Sequence, residues 1–438
     1  MTTATSIAVA NMVGTGVFTS LGFQLDAVQS GFALMMLWLL GGVIALCGAL
    51  CYGELASALP RSGGEFHFLG RIYHPAVGFL AGWVSFIMGF TLPIALAAMA
   101  FGSYFAGSSF GAVIPASPVV TSCVLVLLVT LAHTRDLRVG SWFQNLFTAF
   151  KLLLIVALVV AAGLLGKGGD MSFAPRREDF EVMLTTPYAV SLLYVLFAYT
   201  GWNAAVYVLE EVEDPRRTVP RSLITATLLV TVLYLALNAA FLLAAPIDAL
   251  RGQLDVGHVA ASYLFGEAGG RWMSAALSLA LVSTVSAMVW AGPRVTQTIG
   301  EDYGFFRGLA RTNARGIPAV ALWLQTAIVI VLLVTSTFET LLVYTQFTLA
   351  LSSALAVYGV MRLRRIAPDL PRPVRAWGYP WTPLVFLGLS LWTLAFTLID
   401  RPLESLAGLG TVLSGLLVYR LSPRSDRAPG ALAVDRDG

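Results

Sequence analysis

Charge is what this sequence has least of. Only 12% of its 438 residues are Asp, Glu, Lys or Arg, against roughly 25% in soluble domains, while 57% are hydrophobic and the mean hydropathy is +0.79. That balance excludes a soluble globular domain and points to an integral membrane chain. Cysteine is nearly absent. Cys47, Cys51 and Cys123 all lie inside apolar runs and read as small packing residues, which excludes a disulfide framework or a thiolate metal site. The four histidines, His67, His74, His133 and His258, fall in loops or at the ends of apolar segments, so neither a membrane metal site nor a histidine-based hydrolase has its parts. With no nucleophile and base pair either, an enzyme is the weakest of the available functions. Lysine occurs only as Lys151 and Lys167, arginine supplying the other positive charge.

What is present is long apolar runs. They do not alternate every second residue as barrel strands would, so the fold class is all-α. Twelve segments can be marked, over 5–23, 34–58, 76–105, 119–133, 143–165, 189–209, 223–245, 273–299, 319–336, 341–361, 384–399 and 403–419. Most reach the ~20 residues needed to cross the hydrocarbon core. No basic leader precedes the first segment, which therefore reads as a span rather than a cleaved signal. With an even number of spans, the basic residues expected outside are Lys167, Arg176, Arg177, Arg251, Arg271 and Arg401, and apart from Lys151 within a helix all others fall in inner loops or the tail. By the positive-inside rule both termini are cytoplasmic. The tail from 422 to 438, rich in Arg, Asp, Pro and Gly, is expected to be disordered.

Two segments are interrupted at mid-length. The first carries Asn11-Met12-Val13-Gly14-Thr15-Gly16-Val17-Phe18 and the sixth carries Ala198-Tyr199-Thr200-Gly201-Trp202-Asn203. Each glycine costs a helix interior roughly 1 kcal/mol relative to alanine, so both helices are expected to unwind there. Two broken helices at matching places in two halves of a chain mark a transporter's binding site near the bilayer midplane. In the first break the N–H groups of Thr15, Gly16 and Val17 start a half-helix, where unpaired donors and a positive dipole suit a carboxylate. Thr15 adds a hydroxyl and glycine permits close approach, so Gly16→Val should abolish binding while leaving the fold intact. Carbonyls freed near Phe197, Ala198 and Thr200 should accept from an ammonium group. Together the breaks read as a site for a zwitterion. Tyr199 and Trp202 read as packing residues.

Lys151 lies about 15 Å along the fifth segment at 1.5 Å per residue, near the centre of a ~30 Å core. A charge there costs at least ~2.5 kcal/mol, so a functional or paired role is the default. Apart from Lys151, the middles of the first, third, sixth, eighth and tenth segments offer no charged residue. The pocket, with Val13, Met88 and Phe197 as apolar walls and Thr200 at its edge, should therefore take a substrate with a neutral side chain. Glu54 and Arg61, at the inner end of the second helix, read as a cytoplasmic gate or loop clamp.

The run Tyr52-Gly53-Glu54-Leu55-Ala56-Ser57-Ala58-Leu59-Pro60-Arg61-Ser62-Gly63-Gly64-Glu65-Phe66 resembles the second-helix signature of the amino acid, polyamine and organocation superfamily, Y-x-E-L-x-x-x-x-P-R-S-G-G-E-Y, with Phe66 for the common tyrosine. Gly14-Thr15-Gly16-Val17-Phe18, Phe197-Ala198-Tyr199-Thr200-Gly201-Trp202-Asn203 and the loop from Glu210 to Arg221 are similar to three further motifs of that family, and the first three suggest its L-type amino acid transporter branch. The resemblance implies a LeuT-like fold in one transmembrane domain over 1–421. Inverted repeats of five helices would occupy about 1–166 and 185–362, with broken helices 1 and 6, and two added helices about 380–421. It also implies that Met12 or Val13 contributes a carbonyl and that Phe197 closes over the substrate as an aromatic gate. The Lys151 ammonium would take the place that Na⁺ holds in sodium-driven relatives, near carbonyls of the first break and hydroxyls among Ser283, Thr284 and Ser286.

The function expected is a secondary transporter of neutral amino acids in the cytoplasmic (inner) membrane. It would work by alternating access, independently of Na⁺, by exchange or proton coupling, with exchange favoured because no second titratable group appears at midplane. Its partners would be the amino acid and the lipid bilayer, with no cofactor, no metal, no nucleic acid and no obligatory protein partner. A polyamine or cationic amino acid carrier is the alternative within the class, and a non-transporting amino acid sensor is the alternative outside it.

Overall fold

In the computed structural model the described residues are 2–135, 141–166, 172–309, 311–313 and 316–422. The tail expected to be disordered lies outside them from 423 onward, as do Arg138, Arg315 and Lys167. No β-strand occurs among the described residues. The chain runs α1 (Thr2–Met12), α2 (Gly16–Gln24), α3 (Gly31–Ala58), α4 (Glu65–Ile72), α5 (Pro75–Val84), a π-helical stretch (Ser85–Thr91) and α6 (Leu92–Ala106). Next come α7 (Ser109–Val113), α8 (Pro118–Thr134), α9 (Ser141–Leu165), α10 (Arg177–Val182), α11 (Thr186–Tyr199) and a 3₁₀ stretch (Ala204–Glu211). The remainder is α12 (Pro215–Ala244), α13 (Ile247–Leu250), α14 (Val256–Asp302), a 3₁₀ turn (Gly304–Arg307), α15 (Ala319–Thr335), α16 (Phe338–Ile366), α17 (Trp381–Asp400) and α18 (Pro402–Leu421).

Ten described segments are long and apolar enough to cross a membrane, and α8 and α15 are shorter apolar helices. Helices follow from the sequence because a backbone in hydrocarbon must satisfy its own polar groups. Their starts carry ordinary signals: Ser30 accepts from the Ala33 N–H at 3.2 Å, Ser117 from the Val120 N–H at 3.3 Å, and Pro118, Pro215 and Pro402 sit in first turns. Large apolar side chains such as Leu128, Leu153, Val232 and Leu413 are exposed, as lipid-facing residues would be.

Two departures from the expected segments have local causes. The third apolar segment is one helix with a widened turn over Ser85–Thr91, where the Leu92 N–H reaches back to the Ile87 carbonyl. Pro93, just beyond, has no N–H to continue the ordinary ladder. The eighth segment starts much earlier than its apolar core, at Val256, and bends at Gly266 (φ 76°), a conformation that glycine adopts without strain.

The C-terminal end of α3 is clamped, but not by Arg61, which is exposed. Buried Glu54 instead accepts from Arg364 Nε at 2.8 Å and Nη2 at 2.6 Å on α16, and from the Ala376 N–H at 2.7 Å. Arg372 lies 3.7 Å away and donates to the Leu363 and Ala367 carbonyls at the end of α16. Arg364 also stacks over the Tyr379 ring at 3.8 Å. The sequence pairs Glu54 with the nearest arginine, whereas the partners come from more than 300 residues away. Removing one partner of a buried ion pair costs roughly 3 kcal/mol or more, so Glu54→Gln should lower the thermal unfolding midpoint of the purified protein by several degrees. An unchanged midpoint would show that the clamp adds nothing to stability.

Candidate functional site

The first apolar segment is broken as expected. α1 ends at Met12, α2 starts at Gly16, and the Gly14 N–H folds back onto the Met12 carbonyl at 2.7 Å. The Thr15, Gly16 and Val17 N–H groups find no acceptor among the described residues, the first bonded amide of the new turn being Phe18 N–H to the Thr15 carbonyl at 3.0 Å. The break thus presents three donors at the positive end of α2. Thr15 is buried and makes no capping bond with its side chain.

The second break falls between α11 and the 3₁₀ stretch, with Gly201 at φ 104°. Thr200 donates to Gln346 Oε1 at 2.9 Å as well as to the Leu196 carbonyl at 3.2 Å. The two breaks interlock through glycine. A Cβ on Gly16 would lie 2.5 Å from Ala198 Cα, and one on Gly201 would lie 2.8 Å from the Asn11 carbonyl carbon. The expectation that Gly16→Val spares the fold is therefore corrected: Gly16 is where one helix backbone rests on the other. Gly14 is the open glycine, its nearest would-be contacts being the Asn11 and Met12 carbonyl oxygens at 3.9 Å.

A buried tyrosine that sequence reasoning missed ties the breaks together. Tyr234 of α12 places its hydroxyl 2.6 Å from the Met12 carbonyl and 2.9 Å from the Ala198 carbonyl. Its ring packs against Trp38 and Tyr199. Of the carbonyls expected to receive an ammonium, Met12, Phe197 and Ala198 thus already accept a bond, the Phe197 carbonyl taking the Thr200 N–H at 3.0 Å. The Val13 and Thr200 carbonyls accept none among the described residues. Tyr199 and Trp202 pack as expected, Trp202 lying edge-on to Tyr52 at 4.7 Å.

A small cavity opens beside the first break. Gly14, Thr15 and Thr19 line it with Tyr104 of α6, Lys151 of α9 and Leu281 of α14. Gly14 and Thr15 are the expected substrate residues that reach it, the others being taken up in the packing of the broken helices. Met88, expected as an apolar wall, is fully buried and does not line it. The Lys151 ammonium donates to Thr284 Oγ1 at 2.6 Å. Ser283 donates to the Ala280 carbonyl of its own helix at 2.9 Å, and Ser286 meets His133 Nε2 at 2.9 Å, so the candidate coupling contact is Lys151 with Thr284. Tyr104 donates to the Phe18 carbonyl at 2.8 Å and accepts from the Gly257 N–H at 3.2 Å, tying this wall of the cavity to α14. No sequence signal separated Tyr104 or Tyr234 from the other aromatic residues of apolar segments.

Residues 1–407 match the family described as amino acid permease. Among curated proteins the chain is 28% identical over 429 residues to the b(0,+)-type amino acid transporter 1 of Mus musculus, covering 95% of this chain and 85% of that protein. It is 29% identical over 432 residues to the large neutral amino acids transporter small subunit 2 of Mus musculus, covering 96% and 80% respectively. The Homo sapiens form of the latter is 28% identical over the same length, covering 96% of this chain and 79% of that protein. The two interlocked breaks, the lysine opposite them and the Tyr52–Phe66 run thus sit on a chain that belongs to the amino acid permease family, within the amino acid, polyamine and organocation superfamily.

Proposed function

We propose that this permease moves neutral amino acids across a cytoplasmic membrane by alternating access, with substrate held between the two breaks. One observation carries the proposal: three N–H groups without an acceptor among the described residues, at the positive end of α2, stand beside a cavity lined by Gly14 and Thr15. A carboxylate satisfies those donors, and the Val13 and Thr200 carbonyls remain for the ammonium. The side chain of the substrate is neutral because Lys151 is the one charged group lining the cavity among the described residues and an unpaired buried charge is prohibitive. The name of one relative, a large neutral amino acids transporter, agrees.

On this reading the chain has twelve spans. At 1.5 Å per residue α8 and α15, of 17 residues each, reach about 25 Å, close to a ~30 Å core. The breaks then fall in spans one and six, as an inverted repeat of five and five requires, with α17 and α18 appended and both termini cytoplasmic. The ammonium of Lys151 stands in for a coupling Na⁺. The same relative is named a small subunit; this chain is proposed to transport without an obligatory protein partner.

The test is counterflow of labelled amino acids into proteoliposomes holding the purified chain alone. Small or apolar neutral amino acids should compete at least ten times better than arginine, glutamate or putrescine, and replacing Na⁺ with choline should change nothing. A preference for arginine or putrescine would favour the cationic carrier instead. Binding without counterflow would favour the sensor.

A further inference from the structure

The same sequence run holds two buried carboxylates in opposite electrostatic settings. Glu54 has two arginines and a backbone N–H, as described. Glu65, the first residue of α4 and also buried, has no cation within ion-pairing distance among the described residues. Its Oε1 accepts from the Tyr52 hydroxyl at 2.5 Å, Ser353 Oγ at 3.1 Å and Asn203 Nδ2 at 3.4 Å, and its Oε2 accepts from Ser352 Oγ at 2.5 Å. These donors come from α3, from α16 and from the turn that follows the second break. Ser62, just ahead, accepts from the Glu210 N–H at 2.9 Å, so the same loop holds the far end of that turn.

We propose that Glu65 is a proton-operated latch, which holds α3, α16 and the segment after the second break together when ionised and lets them part when protonated. The inference rests on the transporter reading and deepens it, because it names a titratable group that couples protons to the motion of the broken helix. Four donors aimed at one carboxyl group suit an anion that can only accept. Protonation removes the charge that strengthens those bonds and turns one oxygen into a donor that must find an acceptor among groups already donating. A glutamine, whose amide NH₂ donates, would meet those donors as the protonated acid does, so only the ionised carboxylate accepts from all four.

The surroundings leave Glu65 free to titrate. α3 faces it with Tyr52 and the 3₁₀ stretch with Tyr207, α16 contributes only hydroxyls there, and α5 carries no titratable residue. Burial pushes the Glu65 carboxyl above its ordinary value, while the hydrogen bonds from Ser352, Tyr52 and Ser353 pull it partly back. His67 on the same helix is pushed down to about 4, first by burial and then by Arg61 and Arg71, so it stays neutral where Glu65 changes state.

The test uses the full-length protein in proteoliposomes with equal pH on both sides. In an infrared titration, which needs no transport, the wild type should show a protonated-carboxyl band that Glu65→Gln lacks; a band unchanged in Glu65→Gln overturns the proposal. Ser352→Ala and Ser353→Ala each remove a donor that favours the anion, so each should move the midpoint of that band to higher pH, by about one unit. A midpoint unmoved in both overturns it. In counterflow the wild-type rate should change with pH around the same midpoint, whereas Glu65→Gln should keep the acid-side rate at every pH. A wild-type pH profile in Glu65→Gln overturns the latch and leaves the carrier reading standing, while no counterflow in the wild type overturns the carrier reading and the latch with it.

Discussion

Replacing Lys151 by methionine should abolish most transport while leaving the protein folded. The ammonium is buried, donates to Thr284 at 2.6 Å, and shares a cavity with Gly14 and Thr15 of the first break. It thereby ties α9 to α14 beside the broken helix. A hydrogen bond to a charged group is worth about 1.5–3 kcal/mol, or roughly 10- to 150-fold in rate if it is made differently in the two ends of the transport cycle. Methionine matches the length and apolar stem of lysine, so packing should survive and the unfolding midpoint should not fall. Initial counterflow rates at saturating substrate, with thermal unfolding as control, decide the matter. Counterflow within twofold of the wild type would show that the lysine is not the coupling element. Thr284→Val should reproduce part of the loss, because it removes the acceptor and keeps the shape.

The second large effect separates two glycines that the sequence treats alike. Gly16→Val should fail to give a stable protein, because its first added carbon would lie 2.5 Å from Ala198 Cα and 3.0 Å from Ala198 N. Those are backbone positions, and neither helix can yield without separating the breaks. Overpacking a core commonly costs about 1–3 kcal/mol and more when the backbone must move. Gly14→Ala meets nothing closer than 3.9 Å, so it should fold normally, yet it narrows the approach to the Thr15, Gly16 and Val17 amides and should weaken substrate binding at least tenfold. Size-exclusion profiles, thermal unfolding and substrate binding on the two variants check this together. A well-folded Gly16→Val that has lost only binding would restore the ligand-contact role for Gly16, and a Gly14→Ala that binds normally would move the carboxylate away from this break.

Much of the architecture was legible because membrane spans and helix breaks are local properties. Apolar length marks a span whatever surrounds it, and a glycine pair weakens a helix wherever it occurs. The first break and the end of α11 accordingly fall where the sequence put them, and Lys151 lies near the middle of α9. Tyr234 was not legible, since its role depends on two carbonyls, 222 and 36 residues away in the chain, converging on one hydroxyl. Which of three hydroxyls lies beside Lys151 was not legible either: Thr284 sits 2.6 Å from the ammonium, while Ser283 donates to its own helix and Ser286 meets His133.

The Tyr52–Phe66 run shows the division most clearly. By itself the sequence determined that this chain is a helical membrane protein with two interrupted spans, a buried lysine and a charged motif at the C-terminal end of the second helix, because hydrophobicity, glycine and charge act within one or two helical turns. Only the tertiary structure decided that Glu54 is locked by Arg364 and Arg372 while Glu65 is left among hydroxyls and an amide. It also decided that a side chain at Gly16 would strike a backbone where one at Gly14 would meet nothing closer than 3.9 Å. The physical reason is that the state of a buried charge, and the room around a glycine, are set by whichever distant element packs against it, and that choice is made by the whole fold.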